Sequence, residues 1–164
     1  MNRENRILIL TGLAMIALTM FFGLWYAVFD EHQTLVGMIV AMMNGFLEAA
    51  RGNLPEAYGA MEEYGRISKE YRREVHFHGH WGFLSLILIL YGLVAHTMHF
   101  SQRARVRVAA CLAASAALFP FGVLLQIGPM DWLGKIFAVL GSIGLVLSMF
   151  AVVIGLLRRR EVTR

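Results

Sequence analysis

Three histidines alternate with other residues in the run Glu74-Val-His-Phe-His-Gly-His-Trp, a pattern suited to binding a metal ion or a haem iron. Neutral imidazole is the commonest metal ligand near physiological pH, and it also serves haem iron. If the run is helical, His76 and His80 are neighbours one turn apart that can share an ion, while His78 points away and pairs in register with Glu74. If the run is extended, all three imidazoles lie on one side. Either conformation predicts a site with two or three nitrogen ligands.

Glu74 and three further histidines extend the set of candidate ligands. His32 follows the first long apolar stretch, and the Glu74 carboxylate can fix an imidazole tautomer or ligate a harder metal itself. His96 and His99 lie near the far end of the next apolar stretch. His96 is about 24 Å along a helix from His80, a separation that suits one cofactor near each membrane face. Histidines that bind nothing also occur at membrane interfaces, and that interpretation stays open for each of them.

These ligands favour a membrane electron-transfer protein or a redox-complex subunit that binds haem b. The outer haem is predicted to be held by His32 with His78 or His80. An inner haem at His96 or His99 needs a methionine or an open axial position, so a single haem is the more economical version. Because Cys111 is the single cysteine, a disulfide within the chain and covalent haem attachment through a CxxCH motif are both excluded.

Two other functions stay open. One is a copper- or zinc-binding membrane protein, favoured by thioethers that suit Cu(I) in the same region, at Met38, Met42 and Met43. Its metal ligands are predicted to be His76, His78, His80, His32 and Glu74. The other is a non-catalytic scaffold or assembly subunit whose small-residue surfaces pack against partner helices.

Apolar helices must position these residues. Hydrophobic residues make up 58% of the 164 residues and charged residues 16%, which is too apolar for an ordinary soluble domain. A membrane-spanning helix needs about 20 apolar residues. Four stretches are long enough and predict one all-α integral membrane domain, a four-transmembrane-helix bundle: Ile7 to Phe29, Trp81 to Phe100, Val106 to Ile127 and Trp132 to Leu157.

The segment 33–79 between the first two spans is predicted to lie at the outer face. After Pro55, apolar residues recur at steps of three and four, which predicts an amphipathic helix that precedes the second span and runs into it. Residues 34–50 are predicted to form an interfacial or re-entrant helix against the bundle. A fifth span from Thr34 to Ala50 is the competing interpretation, although Asn44 and Glu48 interrupt it.

The distribution of charge predicts the orientation. With the N-terminus inside, nine of the fifteen basic residues are cytoplasmic, including Arg159, Arg160 and Arg164. Trp25, Trp81 and Trp132 then lie near the outer interface, where indoles prefer to sit. Both termini are therefore predicted to be cytoplasmic, in a membrane of the bacterial inner-membrane type. Arginines beside the spans account for the net charge of +4, so a nucleic-acid partner is excluded.

The predicted partners are the lipid bilayer, a quinone in the apolar region near the outer histidines, and partner membrane subunits or further copies of the chain. Small residues predict close helix packing in the first span at Thr19, Gly23 and Ala27, and in the fourth at Gly141, Gly144 and Gly155. The four predicted spans contain no Asp or Glu, which disfavours a proton- or ion-coupled transporter.

Overall fold

The structure, a computed structural model, describes residues 1–126 and 129–158, and this part of the chain is helical apart from short turns, without a strand. The helices are α1 (Arg3–Phe29), α2 (Glu31–Ala50), α3 (Leu54–Val94), α4 (Gln102–Leu125) and α5 (Asp131–Leu157), with a 3₁₀ turn at Ala95–Thr97. All five α-helices are long and apolar enough to cross a membrane. The prediction of an all-α chain of apolar helices is confirmed, and these helices fit a multi-pass membrane protein.

α1 and α2 run in series along α3. Helical backbone hydrogen bonds continue through Asp30, from its N–H to the Tyr26 carbonyl (2.9 Å) and from the Thr34 N–H to the Asp30 carbonyl (3.0 Å). Contacts with α3 keep one antiparallel register: Gly92 lies against Leu8 and Ile9, Gly12 against Ser85 and Ile89, Gly23 against His78, Gly37 against Ile67, and Gly45 against Met61. The three helices therefore form one long hairpin, about 60 Å from end to end.

This long hairpin turns at Arg51, Gly52 and Asn53. Gly52 has a φ of 78°, a left-handed conformation that glycine adopts without strain. The Glu48 carboxylate accepts hydrogen bonds from the Arg51 guanidinium (2.6 Å) and the Asn53 side-chain amide (3.2 Å). Pro55 occupies the first turn of α3, where a missing backbone donor costs nothing. The helix start predicted at Pro55 is confirmed.

α4 and α5 form a second hairpin in which glycines let the two backbones touch. A Cβ added to Gly122 would meet the backbone nitrogen of Ala138, and it would lie 2.8 Å from the Gly134 carbonyl oxygen. A Cβ added to Gly141 would lie 2.6 Å from the backbone nitrogen of Phe119. Helices approach so closely only where no side chain stands between them. The predicted packing surface of the fourth span is therefore confirmed.

The two hairpins join where α4 packs against α1 and α3. Buried side chains from all four long core helices meet there, among them Leu8, Leu88, Leu112 and Leu145. α2 packs along α3 but hardly touches α4 or α5. As a result, α2 and the N-terminal half of α3 extend beyond the four-helix core as a two-helix projection, and this projection comprises residues 31–73.

Two details differ from the sequence-based expectation, the path of residues 34–50 and the end of α3. Residues 34–50 run along α3 and do not lie against the bundle, because α2 continues the direction of α1. The amphipathic helix runs into the second span as predicted, and the two form one helix of 41 residues. That helix ends at Val94 and not near Phe100, since the chain there turns into α4 and the His99 N–H donates to the Gly155 carbonyl (2.8 Å). The predicted end of the third span at Ile127, and the three C-terminal arginines at 159, 160 and 164, lie outside the described residues.

Candidate cofactor site

The histidine run lies inside α3, so it has the helical arrangement. His76 and His80 are neighbours on one side of the helix, with ring centroids 5.9 Å apart. The His80 ring also meets the Phe119 ring of α4 at a centroid distance of 5.3 Å. Both histidines are exposed. They present a pair of imidazoles on the side of α3 that faces α4.

His78 has a different environment, between α3 and α1. Its imidazole lies directly over Gly23, where a Cβ would come within 2.5 Å of the ring Cε1 and 3.1 Å of both ring nitrogens. The Nδ1 atom is buried without a hydrogen-bond partner. A buried polar atom that lacks a partner is costly, so a bound group that pairs with it stabilises the site. We call the space over Gly23 the glycine notch.

Aromatic side chains continue this environment along the contact between α1 and α3. Phe77 is 1% exposed, and its ring packs against the rings of Phe22 and Trp81 at centroid distances of 4.8 Å. The Trp81 Nε1 is buried and, like the Nδ1 of His78, has no hydrogen-bond partner. Tyr26 stacks against Phe22 and adds a buried hydroxyl that is also unpaired. The largely apolar contact between α1 and α3 therefore contains three buried polar atoms without a hydrogen-bond partner of normal geometry, on His78, Trp81 and Tyr26.

Glu74 lies one turn of α3 outward from His78. Its carboxylate is beside the Tyr26 hydroxyl, although the two form no hydrogen bond of normal geometry. Burial raises the pKa of Glu74 above its ordinary value, the neighbouring Tyr26 hydroxyl opposes this by favouring the carboxylate, and the negative charges of Asp30 and Glu70 raise the pKa further. This carboxyl therefore holds its proton more readily than a surface carboxylate does, which suits a group that exchanges protons.

Replacing Glu74 with glutamine should change how stability depends on pH. Because burial raises the folded-state pKa, ionisation of Glu74 opposes folding, and stability falls as the pH rises above the unfolded-state value of about 4.3. The Glu74→Gln variant lacks this loss. Its thermal midpoint in detergent should exceed that of the parent at neutral pH and converge with it below about pH 4.

Glu63 offers a matched control for this measurement. The Arg66 guanidinium lowers the pKa of Glu63, so ionisation of that exposed carboxyl favours folding. The Glu63→Gln variant should therefore show no gain at neutral pH. Parallel pH profiles for the parent and the Glu74 variant would contradict the prediction.

The structure does not bring His32 to the other predicted ligands. His32 is exposed in the first turn of α2, beyond the level at which Tyr26 contacts Tyr71. It therefore lies about two turns of helix outward from His78. His32 therefore does not lie opposite His78 or His80, as the predicted pairing across one haem requires.

His96 and His99 lie at the opposite end of the four-helix core. His96 belongs to the 3₁₀ turn, and its Nδ1 is 3.3 Å from the Nδ2 of Asn5. His99 follows that turn and is exposed. The two residues are therefore on irregular backbone rather than on the face of a spanning helix, and His96 already has a polar neighbour.

Within residues 1–126 and 129–158, no three or more histidine, cysteine, aspartate or glutamate side chains are arranged to hold a metal ion. His76 and His80 form a pair, and His78 stands apart from them. No known family model matches this chain, and neither a curated protein nor a solved structure matches it. The environment of each histidine is therefore the guide to function.

Gly23, Tyr26 and Trp81 lie in or beside the candidate site, although their sequence pattern does not predict it. Gly23 stands in a series of small residues that predicts packing, and Trp81 belongs to a set of tryptophans that predicts the interface. The antiparallel pairing of α1 with α3 brings these residues together, because it places Gly23 opposite His78.

Proposed function

We propose that the protein is a membrane electron-transfer protein, or the corresponding subunit of a redox complex, which binds haem b through His78. The observation that carries this proposal is the His78 imidazole, which lies over the glycine notch with a buried and unpaired Nδ1. Imidazole on an inward-facing position of a helical bundle is the usual protein ligand for haem iron. His78 is the histidine of the outer run that has this position.

Several residues around His78 support the proposal of a haem. Gly23 leaves the α1 backbone open to close approach, and Phe22 and Phe77 provide apolar contact surface that excludes water. When bound, the haem supplies reversible one-electron transfer. His78 would ligate the iron, and the apolar rings would hold the local dielectric low, which influences the reduction potential. Since His32 and His80 do not face His78, the proposal is a single haem with one histidine from this chain.

The proposed membrane placement has four spans. α1, α3 from Trp81 onward, α4 and α5 cross the bilayer, while Glu74 and the two-helix projection stand outside it. In support, the ion pair between Arg73 and Asp131 (3.7 Å) lies at the outer end of the core, and Trp132 is adjacent. Residues 6–29 of α1 extend about 36 Å, enough to cross about 30 Å of hydrocarbon. The arginines at the other end favour cytoplasmic termini in a membrane of the bacterial inner-membrane type.

A quinone is the redox partner that suits the same region. The Trp81 Nε1 is a buried donor without a partner, and such a group hydrogen-bonds to carbonyl oxygens. Glu74 lies at the outer end of this contact, where it can take up a proton released when a quinol is oxidised. The proposed partners are therefore lipid, a quinone and neighbouring subunits of a redox complex.

The absorption spectrum of the purified protein in detergent tests the haem. We expect a Soret band that shifts on reduction, and the His78→Ala variant should lose at least nine-tenths of it because the iron loses its ligand. The His76→Ala variant removes an imidazole from the same helix without changing the contact with α1, so it should keep the band. The Gly23→Leu variant displaces the His78 imidazole from α1 and should lose haem although the histidine is retained. A protein that neither purifies with haem nor takes up added hemin would overturn the proposal.

The pair of His76 and His80 favours a second function, binding of copper or zinc at the outer face. Their rings are 5.9 Å apart and exposed, so they can ligate one ion whose other ligands come from water or a partner. In titrations with Zn²⁺ or Cu⁺, the double variant His76→Ala/His80→Ala should lose binding while His78→Ala retains it. A protein that binds neither haem nor metal would instead act as a non-catalytic scaffold.

A further inference from the structure

Four arginines come together at the inner end of α1 and α4. Arg3 and Arg6 belong to the first turns of α1, and Arg103 and Arg107 to the first turns of α4. They line two adjoining grooves that share Arg3. One groove, of about 410 Å³, is lined by Arg3, Gln102, Arg103, Val106 and Arg107. The other, of about 330 Å³, is lined by Arg3, Arg6, Ile7, Leu10 and Thr11.

The positive charge of these grooves is not neutralised by the described part of the chain. Glu4 is the one carboxylate that residues 1–126 and 129–158 place at this end, and it is fully buried and paired with Arg105 at 2.8 Å. No described carboxylate forms an ion pair with any of the four groove arginines. α1 and α4 also both begin here, so their N-terminal dipoles add partial positive charge. The site therefore attracts an anion.

The groove at α4 is the more polar and the groove along α1 the more apolar, which matches the headgroup and the acyl chain of a phospholipid. The groove at α4 is lined mainly by arginine and glutamine, and guanidinium groups bind phosphate oxygens through paired hydrogen bonds. The groove along α1 adds Ile7 and Leu10, which lie further along the helix toward the middle of the membrane. Leu10 is 51% exposed and offers apolar surface to an acyl chain.

From this arrangement we infer that the inner end of the bundle is a specific binding site for an anionic phospholipid. The phosphate lies among Arg3, Arg103 and Arg107, and an acyl chain follows the Ile7 and Leu10 side of α1. The site is separate from the glycine notch, so it does not depend on haem binding. Its ligand is a phosphodiester attached to a hydrocarbon chain rather than a free phosphate ion.

Native mass spectrometry of the detergent-purified full chain tests this site. Phosphatidylglycerol should bind more tightly than phosphatidylcholine of the same chain length. The double variant Arg103→Gln/Arg107→Gln should bind phosphatidylglycerol about 30-fold more weakly, since each basic side chain near an anionic lipid contributes about fivefold. Arg66→Gln/Arg72→Gln is the matched control, because it removes the same charge from exposed positions of the two-helix projection, and it should bind like the parent.

Two further measurements distinguish binding of a phospholipid from binding of a free anion. Inorganic phosphate, added in excess, should not displace phosphatidylglycerol. Leu10→Gln should weaken phosphatidylglycerol binding although no arginine has changed. Displacement by phosphate, equal binding of the two lipids, or equal weakening in the Arg66→Gln/Arg72→Gln control would each overturn the inference.

Discussion

The Gly122→Val variant should be less stable than the parent by about 3 kcal/mol, a value at the upper end of the range for overpacking. The reason is the contact between α4 and α5, where a Cβ on Gly122 would meet the backbone of Ala138 and Gly134. A clashing side chain can move to another rotamer, but a backbone atom can move only with its helix. The two helices must therefore separate, and the close packing that holds the second hairpin together is lost.

Unfolding of the detergent-solubilised protein, followed by circular dichroism during a denaturant titration, measures this effect. Gly59→Ala and Gly65→Ala are the controls, because a Cβ at either position meets nothing within 4 Å. Both positions are inside α3, so alanine should stabilise the helix by up to about 1 kcal/mol. If Gly122→Val unfolds at the same denaturant concentration as the parent, the helices do not approach as closely as described.

Removal of the Arg105 side chain should also be strongly destabilising. The Glu4 carboxylate is fully buried, and its Oε1 accepts a hydrogen bond from the Arg105 Nε at 2.8 Å. Truncating one partner of a buried ion pair leaves an uncompensated charge, which typically costs about 3–5 kcal/mol. The Arg105→Ala variant should therefore lose stability in that range, measured by thermal unfolding in detergent.

Replacing Glu4 instead of Arg105 tests whether an unpaired buried carboxylate causes this loss of stability. Glu4→Gln keeps the volume and a hydrogen-bonding oxygen, while Arg105 is partly exposed and can still reach the carbonyls of Met98 and Phe100. That variant should lose less stability than Arg105→Ala, and the double variant should lose less than the sum of the two. Arg72→Ala, at an exposed position, should change stability by less than about 0.5 kcal/mol. Additive losses would show that Glu4 and Arg105 are not coupled.

Local patterns predicted the helices well because hydropathy and capping signals act over a few residues. Pro55 marks the start of α3, and the glycines of the fourth span mark a packing surface. In contrast, the path of α2 was not predictable from its composition. Its apolar residues are compatible with crossing a membrane, lying at the interface or packing along α3, and the helical bonds through Asp30 fix only its direction relative to α1.

For the candidate site as well, local patterns identify the residues but not how the fold brings them together. The sequence identifies His76, His78 and His80 as possible ligands, but which of them faces α1 depends on the conformation of the run and the register between two helices. Contacts that join distant positions leave no local pattern. The ion pair of Glu4 with Arg105 spans 101 positions, and each residue read alone is an ordinary charge beside a span.

The register of the long hairpin also has a consequence for folding. The pairing of Gly45 with Met61 closes a loop of about 16 residues, and the pairing of Leu8 with Gly92 closes about 84, so the entropic cost of closure rises by about 1.5 kcal/mol between them. Contacts near the Arg51–Asn53 turn should therefore form first. Once formed, they determine which residue of α1 meets each residue of α3.

If one residue were inserted into the middle of α2, every residue of α1 would shift along α3 and rotate relative to it. His78 would then meet a side chain of α1 in place of Gly23. The tip of the projection, about 36 Å along α3 from His78, thus helps to determine which residue of α1 the His78 imidazole meets.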